Sequence, residues 1–287
     1  MSDKNGFLGL ATYAGLREKI ADLGIKGALN SARVCTYRGV ELLFIGSECA
    51  DIMAGAKEIR EALSESGTEM ACISCYLDVV SKSEPYRRDE SSIEYVKRCI
   101  DLAEEIGSPY VHHTLVTRLS GGRENYREVL PEVVAAAGEI ADYARAKGVT
   151  VLYEPQGMLF NGLTGYSLFF DIMREKHDNV GICLDVGNTL WVDEDCYALT
   201  EKYATYVKHV HLKDYVIGDE AEKYGTKYHT LGSFAIHEVP LGTGVIDIQR
   251  VLNILTVNGY NGYLSIEDNS GADYDTTAKN AHTILGI

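Results

Sequence analysis

Four short segments in the second half of this 287-residue chain end an apolar run on a group that binds cations or moves protons. They are Val151-Leu152-Tyr153-Glu154, Ile182-Cys183-Leu184-Asp185, His209-Val210-His211 and Leu264-Ser265-Ile266-Glu267. Side chains alternate across a strand, so each terminal polar group shares a face with the residue two positions before it. On strands that line one barrel, Glu154, Asp185, His211 and Glu267 then converge at its mouth. Three carboxylates and one imidazole at a single point carry about three negative charges, which a water-poor interior tolerates only beside a cation. Oxygen-rich donors with one borderline nitrogen suit Mn²⁺, Mg²⁺ or Co²⁺, and are compatible with Zn²⁺ or Fe²⁺, but not with an ion selected by thiolates. Any one of these acids, taken singly, is more often a helix cap or the partner of a surface lysine. Four in succession are better explained by one shared ion.

The elements that must position them are legible in the hydrophobic periodicity. Strand-like runs cover Phe7 to Tyr13, Glu41 to Ser47, Thr68 to Tyr76, Pro109 to Thr114, Thr150 to Pro155, Val180 to Val186, Tyr206 to Lys213 and Gly262 to Asp268. Helical spacing separates them over Asp51 to Ser66, Ser91 to Ile106, Asn125 to Lys147, Leu168 to Lys176 and Ile246 to Val257. Gly67, Gly107, Gly148 and Gly259 stand where helices need a left-handed terminator. Strands alternating with helices predict parallel βαβ units, and eight of them predict a closed (β/α)8 TIM barrel, here a single domain spanning 1–287. Leu16 to Val40 mixes helical and irregular character. Tyr215 to Val245 reads as an enlarged loop of about 215–245 over the active face, either a lid that contacts substrate or an exposed insertion.

Other residues gather around the same strand ends. His112 and His113 close the fourth strand, and alternation sends one of them into the barrel, where it would orient substrate, exchange a proton or bind a second ion; a satisfied polar strand end is the plainer reading. His209 lies one layer below His211 and reads as a buried, hydrogen-bonded imidazole. Trp191 and Tyr215 would wall a pocket, and Arg118 and Arg123 would meet a phosphate or remain solvated. The segment Leu241-Gly242-Thr243-Gly244-Val245-Ile246-Asp247 reads as a tight turn rather than a phosphate cradle. Cys72-Ile73-Ser74-Cys75 has redox or zinc spacing but sits in a strand with no second pair, so packing is expected.

Composition bounds the partners. Forty-two acids against 27 bases leave a net charge of −15, which repels nucleic acid and anionic membranes. No apolar window approaches a membrane span and the polar N-terminus does not resemble a signal peptide, so a cytoplasmic protein with a small-molecule partner is expected. Seven cysteines read as reduced thiols, and homo-oligomeric assembly is compatible with the sequence.

The ordered segments Leu152-Tyr153-Glu154-Pro155, Leu184-Asp185-Val186-Gly187-Asn188, His211-Leu212-Lys213-Asp214 and Ser265-Ile266-Glu267-Asp268 resemble the xylose-isomerase-like sugar phosphate isomerases and epimerases, which include the ketose 3-epimerases. The resemblance runs from about Tyr76 to Glu267 and departs at Asn188, where that family usually has a histidine; asparagine hydrogen-bonds but does not titrate near neutrality. It implies a metal-dependent isomerase or epimerase of a ketose or related sugar, phosphorylated or free. One divalent ion held by Glu154, Asp185, His211 and Glu267 would bind the ketone oxygen and a hydroxyl and stabilise a cis-enediolate. Glu154 and Glu267 would also act as opposed bases, with Asn188, Lys213, His112, His113 and Trp191 touching the substrate. Lyases that dehydrate keto-inositols or eliminate from oxidised sugars share the resemblance and the same enolisation, and are the alternative. Apurinic-site endonucleases also resemble the fold, but His229 and His237 lack the expected Asp-x-His surroundings and the net charge opposes DNA. A non-catalytic sugar-binding subunit would not need two bases flanking an ion.

Overall fold

A computed structural model describes residues 6–45, 55–117, 126–271 and 273–286. Its strands in chain order are β1 (Gly9–Thr12), β2 (Gly39–Ile45), β3 (Glu69–Tyr76), β4 (Tyr110–His113), β5 (Thr150–Tyr153), β6 (Val180–Asp185), β7 (Val207–Leu212), β8 (Asp214–Ile217), β9 (Ile236–Val239) and β10 (Tyr263–Ile266). All but β8 and β9 form one closed parallel barrel in the order β1-β10-β7-β6-β5-β4-β3-β2. Closure comes from β1 pairing with β10, Thr12 opposite Ile266. The expected (β/α)8 barrel is therefore present, each strand lying within two residues of the alternating run that announced it.

Helices between the strands follow from their ends as much as from their apolar stripes. The helix Glu90–Ile106 begins where the Asp89 side chain accepts from the backbone N–H groups of Ser91 and Ser92, and ends at Gly107 with φ 76°. Its Ile93, Val96, Ile100 and Ala103 face the barrel and are buried. The stretch that reads as mixed is a helix, Leu16–Val34, broken at Gly24 (φ 68°, ψ 169°), so neither half shows a sustained period. The helix read as starting at Leu168 starts at Leu163, whose N–H is taken by Glu194 Oε2 at 2.8 Å. Gly165 hid that first turn by looking like a breaker.

Alternation sorts the interior into layers. Cys72, Leu152 and Cys183 pack together low in the barrel, and the next inward residues on the same strands are Ser74, Glu154 and Asp185. Cys72 and Cys75, three apart on one strand, necessarily face opposite sides, and both are buried free thiols, so their spacing serves packing. The region 215–245 is more ordered than a loop. It carries β8 and β9 as an antiparallel pair with a short helix, Asp219–Glu222, between them. Its return is pinned by Asp214, whose carboxylate accepts from the N–H groups of Gly242 (3.1 Å), Gly244 (2.8 Å) and Ile246 (3.2 Å). A Cβ on Gly244 would land on that carboxylate, which accounts for the glycine-rich turn. Among the described residues, no helix is long and apolar enough to cross a membrane.

Candidate metal centre

β5, β6, β7 and β10 deliver their C-terminal polar groups to one place. One donor atom from each of Glu154, Asp185, His211 and Glu267 lies within 4.8 Å of the others. Glu154, Asp185 and His211 are buried, while Glu267 keeps its side chain 16% exposed at the opening. His211 Nδ1 is 3.0 Å from Glu267 Oε2 and 3.4 Å from Glu154 Oε1. Asp185 Oδ1 accepts from the N–H groups of Gly187 (2.7 Å) and Asn188 (2.8 Å), which leaves Oδ2 aimed inward. A Cβ on Gly187 would stand 2.6 Å from the Tyr215 ring and 2.8 Å from Lys213, so the tight approach of this turn requires glycine.

Lys213 follows β7 on the same side as His211 and brings Nζ to 2.7 Å from Asp185 Oδ2 and 2.9 Å from Glu267 Oε1. Burial pulls its pKa down, but Asp185 and Glu267 win and hold the ammonium protonated. Burial raises Glu267 while Lys213 and His211 bring it below the usual carboxylate range. Glu154 is likewise lowered against its burial by hydrogen bonds to His112 and His211. Asp185 goes the other way: burial, with Glu267 and Glu154 beside it, outweighs Lys213 and lifts its carboxyl well above 3.8. Crowded acids of this kind, with a single lysine among them, fit a divalent cation by charge and by donor type.

Of the histidine pair, His112 is the inward member. Its Nε2 is 3.3 Å from Glu154 Oε2 and its Nδ1 is 3.0 Å from Ser74 Oγ. His113 faces the helix layer, edge-on to Tyr153 with Nδ1 2.8 Å from Thr114 O, so the expected substrate contact from His113 is corrected: strand alternation turns it away from the centre. Asn188 donates from Nδ2 to Glu154 Oε1 at 3.1 Å. Above these groups opens a cavity of about 500 Å³ lined by Asn188, Trp191, Lys213, Tyr215, Glu238 and Glu267, among others. Trp191 stands edge-on to Tyr215 with ring centroids 6.2 Å apart. Arg118 and Arg123 lie outside the described residues.

Residues 30–284 match the model of the xylose isomerase-like TIM barrel family. The chain belongs to that family. Among relatives, it is 33% identical over 281 residues to the inosose dehydratase of Clostridium beijerinckii, covering 91% of this chain and 88% of that one. Among solved structures, it is similar to the 3-keto-D-glucoside 4-epimerase YcjR of E. coli (TM-score 0.71, 16% identity, 97% and 98% of the two chains). It is also similar to the IOLI protein with a bound zinc atom (TM-score 0.70, 16% identity, 96% of each chain). This family member is thus a barrel of a sugar-processing enzyme family, and its oxygen-rich cluster brings four potential metal-ligating atoms within 4.8 Å of one another.

Sequence reading missed two inward groups. Tyr13 stacks on His211 with centroids 4.7 Å apart. Glu41 is fully buried and contacts both His209 and His211, at 2.7 Å and 2.9 Å. The available signal is an acid within Gly39-Val40-Glu41-Leu42-Leu43, hidden because the periodicity starts the strand at Glu41, which is its third residue in the structure.

Proposed function

We propose that this chain is a metal-dependent dehydratase of a keto-polyol of the inosose class, starting by removal of the proton beside the ketone carbon. The observation that carries the reading is the pairing of Glu267 and Lys213, 2.9 Å apart and both lining the cavity. Dehydration needs a base for the C–H proton and an acid for the departing hydroxyl. A divalent ion held by Glu154, Asp185, His211 and Glu267 would polarise the substrate carbonyl and acidify the adjoining C–H. Glu267, kept ionised, takes that proton; the C–H electron pair becomes the new C=C bond as the C–O bond at the next carbon breaks. Lys213 supplies a proton so that the hydroxyl leaves as water. The two events are coupled, because protonating Glu267 removes one of the two anions that hold the Lys213 proton. Asn188 pins Glu154, and Trp191 and Tyr215 form the wall against which a polyol ring would lie. The named relative among the dehydratases supports the substrate class.

A ketose isomerase or epimerase is the second reading, favoured by the presence of two glutamates, Glu154 and Glu267, at one centre. Incubation of the Mg²⁺- or Mn²⁺-loaded protein in D₂O with a keto-inositol and a ketose panel separates the two. Dehydration accumulates an unsaturated, ultraviolet-absorbing product, whereas return of deuterium to an intact polyol carbon without that product assigns the isomerase reading and ends the first.

A further inference from the structure

Beneath the centre, Glu41 occupies the barrel axis with no exposed surface. Each of its carboxylate oxygens faces two donors. Oε1 lies 2.5 Å from Ser74 Oγ and 2.9 Å from His211 Nε2; Oε2 lies 2.5 Å from Ser265 Oγ and 2.7 Å from His209 Nε2. Glu41, His209 and His211 are close enough to suggest a second metal site. Against that, four hydrogen-bond donors already fill the four acceptor positions of the carboxylate, so it serves as an acceptor hub rather than an open ligand.

The hub constrains proton positions on the inward histidines. A carboxylate only accepts, so His211 must carry its hydrogen on Nε2. Its Nδ1 lies 3.0 Å from Glu267 and 3.4 Å from Glu154, so it is the nitrogen that would give up its hydrogen and turn a lone pair to a cation seated among those carboxylates. Ser74 has one hydroxyl hydrogen and directs it to Glu41; its oxygen therefore accepts from His112 Nδ1–H at 3.0 Å. His112 Nδ1 therefore carries a hydrogen, while its Nε2 lies 3.3 Å from Glu154 Oε2. We propose that Glu41 is a positioning residue that holds a hydrogen on Nε2 of His211 and, through Ser74, on Nδ1 of His112, so that the opposite ring nitrogen of each faces the centre. The inference rests on the metal-centre reading, since a fixed His211 Nδ1 lone pair has a purpose only if an ion sits there. Buried carboxylates behind metal-bound histidines act in this way and raise the basicity of the ligand.

Long-range ¹⁵N–¹H NMR of the zinc-loaded wild type reads the two tautomers directly. The expected result is Nε2–H for His211 and Nδ1–H for His112; Nδ1–H on His211 overturns the proposal. Glu41→Gln places an amide N–H₂ against a donor and should weaken zinc about 10- to 100-fold in competition with a chromophoric chelator, while Ser265→Ala stays within about threefold of wild type. A folded Glu41→Gln protein with unchanged affinity overturns the proposal and leaves the metal centre standing. A wild type that binds no zinc, Mn²⁺ or Mg²⁺ overturns the metal-centre reading itself and this inference with it. If Glu41→Gln does not fold, Ser74→Ala decides: the His112 tautomer signal must change and the His211 signal must not, and an unchanged His112 signal contradicts the linkage.

Discussion

Glu267 alone among the four clustered donors keeps part of its surface toward the cavity while contacting both His211 and Lys213. That position suits it to the role of base proposed above, and Glu267→Gln is nearly isosteric. The substitution should lower kcat by at least about 10³-fold with little change in Tm, consistent with removing a group that acts in proton transfer. Turnover within tenfold of wild type would remove Glu267 from the reaction. His113 makes a separate prediction, about stability. Burial pushes its pKa down to about 4, so the native protein holds it neutral while the unfolded chain protonates near 6.5. The unfolded state therefore takes up the extra proton between those values. The contribution is fully present above pH 6.5 and declines by about 3 kcal/mol as pH falls to 4. His113→Phe should flatten that part of the profile when urea midpoints are compared with wild type; identical slopes would contradict the assignment. The same pair shows what a sequence conceals at this scale. Glu154, Asp185, His211 and Glu267 were legible because each interrupts an apolar run at a strand end, whereas which of His112 and His113 points inward depends on register, which alternation alone leaves open.

Strands and helix caps were the most legible elements, because a parallel barrel strand must be apolar on both faces and a helix followed directly by a strand needs a terminator such as Gly107. The second strand was legible too, but two residues of uncertainty at its start concealed Glu41. Tyr215 to Val245 resisted reading because its order comes from one side chain at a distance. Asp214 gathers three backbone N–H groups from 242–246, a long-range contact with no periodic signature. Charge-assisted acceptors of this kind make Asp214→Asn costly, by about 2–4 kcal/mol. Because β8 and β9 pair only with each other among the described residues, the loss should fall first on that excursion. Limited proteolysis of Asp214→Asn should cut within 218–235 before the barrel; cutting at wild-type rates would show that the turn holds without Asp214.

At the scale of the whole molecule, a net charge of −15 and a barrel mouth rich in acids point the same way. Long-range repulsion opposes anionic partners, while the field raises the local concentration of divalent cations. The barrel itself is the device that makes such a site affordable, since strands that are distant in sequence carry the acids to one axis and Lys213 partly offsets their charge. The chemistry proposed above requires one divalent ion among Glu154, Asp185, His211 and Glu267. Anomalous diffraction at the manganese edge, from crystals of the wild type soaked in Mn²⁺, tests it most directly. A single strong peak is expected about 2.0–2.4 Å from His211 Nδ1 and from an oxygen of each of the three carboxylates. No peak at that point, or a peak bound through His211 Nε2 beside Glu41, would contradict it.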